Sequence, residues 1–188
     1  MGLRAMTRAC GTCTRCCELV PVKELHKASF TPCQHELGAF GIRPGCSIYP
    51  NRPSGCRTWR CLWLKDDTWP DELRPDRCGI VVDENIDLVR IGGIESPCAQ
   101  VWVSPGHEDD FRHSEDVRSI VFSLIEKGLA VLWRMRDDTA ICLYRDAKGF
   151  AFSAPTRTDS ETAEQMLGTP AQRNARAAEL AHYLDFGP

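Results

Sequence analysis

Eight of the eleven cysteines fall between Cys10 and Cys61, and their order constrains this chain more than any other feature. The run CGTCTRCC supplies Cys10, Cys13, Cys16 and Cys17; Cys33, Cys46, Cys56 and Cys61 follow. Two residues between cysteines let both thiolates reach one ion while loop N–H groups turn back toward the sulfurs, as in zinc and iron–sulfur sites. A thioredoxin-like redox pair would open a helix after a strand, and no strand is expected before Cys10. Pro50, Pro53 and Gly55 mark the later part of the segment as loop. A loop-rich stretch of this kind lacks the core to fold alone, and bound metal supplies that free energy.

Cys16 and Cys17 are neighbours in sequence. Adjacent side chains point apart, so a chelate closed by the pair is strained. The expectation is therefore two or more ions, with this pair at the junction. One four-cysteine site with spare thiols is the plainer alternative, because tetrahedral closure needs only four ligands. His35 has three roles open to it: a ninth ligand, a hydrogen-bond donor to a sulfur, or a solvent-facing side chain. Arg52, Arg57 and Arg60 crowd the last two cysteines. Eight thiolates leave a net negative cluster whether two zinc ions or two iron–sulfur cubanes bind, and buried charge needs cationic partners. Tyr49 and Trp59 are read either as shields against water, with the Tyr49 hydroxyl donating to a sulfur, or as packing residues.

The pattern Cys10, Cys13, Cys16, Cys17, then Cys33 and His35, then Cys46, Ile48, Tyr49, Arg52, Pro53, Cys56, Arg57 and Cys61, resembles the CxxCxxCC family of zinc- or iron-chelating proteins. Trp59 stands where that family usually has phenylalanine. The likeness covers about a third of the chain and implies metal chelation. A similar cluster occurs in flagellin lysine methylases, but this chain has no Gly-rich nucleotide loop to carry that activity over.

Hydrophobic residues are 43% and charged residues 26%, the balance of an ordinary soluble globular protein. The net charge of -3 gives no global field for nucleic acid or anionic lipid. The first residues carry arginines but no apolar h-region, so no secretory signal is read there. Residues 120–133 are too short and charged to span a membrane. A cytoplasmic location is expected, where thiols stay reduced and clustered cysteines point to metal before disulfide.

Residues 63–77 read as loop or short helix, and Cys78 as a small buried residue or a further ligand. From residue 79 the pattern turns to strand: IVV and IDLVRI form a hairpin across DEN, Gly92-Gly93 ends it, and VWV follows at 101–103. Ser114 caps a helix through 127, with Val117, Ile120, Val121 and Leu124 at helical spacing and Gly128 at its end. Strands follow at 130–135, 140–144 and 150–153. Cys142 is read as core; Cys98 as free thiol, packing residue or late ligand. His107, Glu108, Asp109, Asp110 and His113 suit a hard-metal or acid–base site, or a solvated acidic loop before the helix. Residues 154–169 read as a linker, and 170–184 as an alanine-rich helix able to pack on the domain, a protein partner or a second copy.

The resulting expectation is an α+β protein. Residues 1–78 form a metal-stabilised cysteine-cluster domain, 79–153 a small antiparallel sheet with one helix, and 154–188 a linker and terminal helix. Zinc, two or more ions, is the leading metal; the alternative is iron or an iron–sulfur cluster in a redox or catalytic protein. The metal is read as structural or chelating. A water-activating enzyme would need an open coordination position that eight thiolates tend to close.

Overall fold

The computed structural model describes residues 8–38, 45–136, 139–153 and 156–157. The expected helix at 170–184 and nearly all of the expected linker lie outside them. Up to residue 78 the chain is loop interrupted by short helices: α1 (Arg15–Leu19), α2 (Ser54–Thr58), α3 (Leu62–Lys65) and α4 (Pro75–Cys78), with 3-10 turns between them. Each is too short to be stable in isolation, so tertiary contacts must hold it.

A sheet follows, built of β1 (Ile80–Ile91), β2 (Ile94–Val103), β3 (Ala130–Met135), β4 (Thr139–Asp146) and β5 (Gly149–Phe152), in that spatial order, with β6 (Thr156–Arg157) also pairing β4. Between β2 and β3 lie α5 (Asp110–His113) and α6 (Glu115–Glu126). The α+β expectation holds, with two corrections. The sheet is not wholly antiparallel: β2 and β3 run parallel, from Cys98 opposite Ala130 to Trp102 opposite Arg134. The helical crossover between them returns the chain to its starting end, as parallel pairing requires. Nor is DEN a hairpin turn. It is a bulge inside β1, where the register shifts between Val82 and Ile86. The turn is Gly92-Gly93, both left-handed, a pair that matches the twist of a two-residue hairpin.

The helix expected after Ser114 is α6, and the Ser114 hydroxyl accepts from the Val117 N–H at 3.4 Å. Val117, Ile120, Val121 and Leu124 are all buried. They share a core with Val131, Trp133, Ile141 and Leu143 of the sheet and with Leu19, Leu62, Trp63 and Leu73 of the amino-terminal segment. The change near residue 78 is thus one of secondary structure and not of packing. Alternate strand residues Ala130, Leu132, Ala140 and Cys142 join Val89 and Cys98 in a second cluster, as the two-residue period of strands dictates.

Candidate metal centre

The cysteine segment is positioned by a few long-range polar ties. Arg8 donates to the carbonyls of Trp63 and Asp66 at 2.9 Å, to that of Asp67 and to that of Trp69, and lies over the Trp63 ring. Cys10 and Cys13 close a turn, the Cys13 N–H donating to the Cys10 carbonyl at 2.9 Å. Cys16 and Cys17 occupy α1, which buried Leu19 anchors to the sheet core. The Cys33 N–H donates to the Cys17 carbonyl at 2.9 Å, and Glu36 pairs with Cys46 in an isolated bridge. The Glu24 carboxylate accepts from the Ser54 hydroxyl at 2.5 Å and the Gly55 N–H at 3.1 Å, fixing the start of α2 and so Cys56. At the β1 bulge, Asp83 accepts from the Trp59 indole N–H at 2.9 Å and pairs with Cys61 by a backbone bridge.

These ties bring all eight cysteines of the segment, together with His35, to the wall of one cavity of about 620 Å³. Arg52, Arg57 and Arg60 line it too. Backbone N–H groups turn back onto sulfurs as expected: those of Arg15 on Cys13, His35 on Cys33 and Leu64 on Cys61. None of the eleven cysteines is in a disulfide. Among the described residues no three His, Cys, Asp or Glu side chains converge closely enough to hold a single metal ion. The sulfurs therefore surround a space without meeting at a point. As a donor set they suit a soft metal: thiolates, amide N–H groups on sulfur, and guanidinium groups nearby.

The protons on the sulfurs are unevenly held. Burial pushes Cys61 up to about 12, and the neighbouring Cys10 and Cys13 add to it. The Cys16 thiol donates to Cys17, which raises Cys16 well above the ordinary thiol value; burial adds to that. The same bond lowers Cys17, against its burial, and Lys27 helps. Burial raises Cys10, and Arg52 and then Arg60 oppose it. The hydrogen bond from Cys16 thus favours the thiolate form of Cys17.

Lys27, Arg8, Glu24 and Glu36 were not singled out from sequence. Lys27 is buried; its ammonium donates to the Val20 carbonyl at 2.6 Å, and burial lowers its affinity for a proton while the sulfurs of Cys33 and Cys17 restore part of it. No local signal marks such residues, since their partners lie far along the chain or on the backbone. Tyr49 lines the cavity, is 53% exposed and has the Arg52 guanidinium 3.7 Å from its ring centroid. Trp59 docks on Asp83. Cys78 is buried with its thiol directed at the Leu73 and Ile80 carbonyls, and Cys98 and Cys142 are buried in the sheet. The acidic loop is held by local bonds: His107 to Asp110 at 2.6 Å, Glu108 from the Gly106 N–H, Asp109 from Arg112. The His107 ring lies where a side chain at Gly79 would stand, 2.4 Å from that position, which requires glycine there.

Compared with protein-family models, curated proteins and solved structures, the chain matches none. No helix among the described residues is long and apolar enough to cross a membrane.

Proposed function

We propose that the segment from Cys10 to Cys61 is a thiolate metal centre that binds two or more ions and whose metal is chiefly structural. One observation carries this reading: eight sulfurs and His35, drawn from residues fifty positions apart, border a single cavity. Cys98 and Cys142 are buried in the sheet away from that cavity, whereas Cys61, although part of the main core, also borders it. Zinc suits the donor set, and a cytoplasmic, reducing setting would keep the thiols available. When bound, the metal would supply cross-linking of loops that lack a core of their own. His35 would serve as a ligand or as a donor to one. The test is metal analysis of protein purified anaerobically. Two or more zinc ions per chain in a colourless protein support the reading, and a metal-free protein with an unchanged fold overturns it.

A second reading is favoured by the spread of the sulfurs. A mononuclear zinc site at Zn–S distances of about 2.3 Å needs sulfurs about 3.8 Å apart, and no such triad is present among the described residues. A bridged iron–sulfur cluster holds its four cysteines farther apart around an inorganic core. A brown protein with stoichiometric iron and sulfide would select this version. The resemblance to the CxxCxxCC family accommodates either metal.

A further inference from the structure

We propose that a second cavity, in the amino-terminal segment beside the sulfurs, binds a small organic cation through the carboxylate of Glu36. The cavity has a volume of about 500 Å³, within the range of small-molecule sites. Glu18 and Leu19 of α1 line it, whereas Cys16 and Cys17 of the same helix line the sulfur cavity. The proposal goes beyond the thiolate reading and does not rest on it.

Glu36 lines the cavity and carries the argument. It is 3% exposed, and among the described residues no donor meets its carboxylate. Glutamates are almost never fully buried without a partner, because an unpaired buried charge is costly. The main chain, not the carboxylate, holds this loop. The Glu36 N–H donates to the Cys33 carbonyl at 3.0 Å, the Leu37 N–H to the Gly45 carbonyl at 2.9 Å and the Ser47 N–H to the His35 carbonyl at 2.9 Å. Glu24 differs, since its carboxylate ties down the start of α2. A buried carboxylate that ties nothing, on the wall of a cavity, is placed to meet a ligand.

The rest of the wall selects the class of ligand. A hard metal ion takes several oxygen ligands, and among the described residues no three acidic, histidine or cysteine side chains gather. The Glu18 carboxylate is already engaged: it pairs with Arg15 at 2.5 Å and accepts from the Thr14 hydroxyl at 3.5 Å. Arg136 also lines the cavity but is exposed, where water and salt screen its charge. Glu36 is thus the carboxylate left without a counter-ion. Leu19, Phe30, Pro32 and Pro105 offer apolar surface to an alkyl chain, and an aromatic ring face attracts a cation. Phe30 stands in the left-handed region at φ 55°, with its N–H on the Leu19 carbonyl at 3.0 Å and its ring 5.8 Å from that of Trp102. A bulky residue adopts that backbone only where its surroundings enforce it, so the ring is fixed at the cavity before any ligand arrives.

The full chain as isolated is titrated with propylammonium, and with propionate and propanol as anionic and neutral controls, while amide chemical shifts are followed. Propylammonium should give saturable shifts confined to residues 12–19, 30–38 and 104–106, and the controls none. Glu36→Gln keeps the shape of the side chain and removes its charge. It should weaken binding about tenfold or more, the scale of a charge-assisted hydrogen bond, with metal content equal to that of the wild type. Pro32→Lys brings a tethered ammonium to the cavity from an exposed position, and should block propylammonium even where Glu36→Gln does not fold. Absence of saturable shifts with propylammonium, equal binding of either control, or unchanged affinity in the folded variants overturns the proposal. None of these outcomes bears on the thiolate reading, which metal analysis decides.

Discussion

The amino-terminal segment and the sheet reach order by different means. Within β1 to β5, position is set by ladder hydrogen bonds and by a continuous apolar core in which Trp133, Val131 and Leu143 are fully buried. Before residue 79, helices of four or five residues carry few buried apolar side chains, mainly Leu19, Leu62, Trp63 and Leu73. Single polar clamps supplement this segment's small share of the common core: Arg8 on four carbonyls, Lys27 on Val20, Glu24 on α2. A region so built depends on each tie, whereas a core spreads its stability over many contacts.

The largest expected effect of separating the two regions is metal removal. Chelation should abolish amide protection across residues 8–61 and leave β2, β3 and β4 protected in hydrogen exchange; equal loss in both regions would erase the distinction. Next is Trp133→Ala. It should cost about 3–5 kcal/mol in global unfolding while metal stoichiometry of the folded fraction stays unchanged. Loss of metal at equal folded fraction would show that the sheet dictates the sulfur positions directly. Arg8→Ala should cost roughly 2 kcal/mol, the scale of a charged hydrogen-bond set, with faster exchange at residues 62–69 ahead of the strands.

A further effect, of the same order as that of Arg8→Ala, is set by pH and concerns the sheet. Burial pushes the Cys142 thiol up to about 11. A raised value in the folded state means the folded chain holds its proton longer than the unfolded one, whose thiol has its ordinary pKa of 9.0. That stabilisation is complete below about pH 9 and is lost as pH rises toward 11. For Cys142 it amounts to roughly 2–3 kcal/mol. Denaturant midpoints of wild type should therefore fall between about pH 9 and 11, and those of Cys142→Ala should fall less.

How much of this was legible follows from the range of each signal. Ser114, the apolar spacing to Leu124 and Gly128 are local, and α6 was readable from them. The bulge at Asp83 was not, because a polar triplet between apolar runs reads the same in a turn and in a bulge; only pairing with Cys61 and Trp59 distinguishes them. The parallel β2–β3 pair was missed, since an antiparallel sheet was expected; the helix between the two strands is the crossover that parallel pairing requires, and VWV alone hid the length of β2 (Ile94–Val103). In the candidate centre the sulfurs announced themselves by spacing. Arg8 and Lys27 did not, since each binds carbonyls, which every residue possesses.

The position of β1 has one more consequence. Among the described residues it is the outermost strand of the sheet, and it is twelve residues long; such an edge invites another chain to add itself. The bulge at Asp83 interrupts that edge, and the bridge from Cys61 together with the Trp59 indole caps it. The cysteine segment is in this sense a guard against unwanted self-association. A chain whose segment has come loose should scatter light as it clusters before its sheet melts.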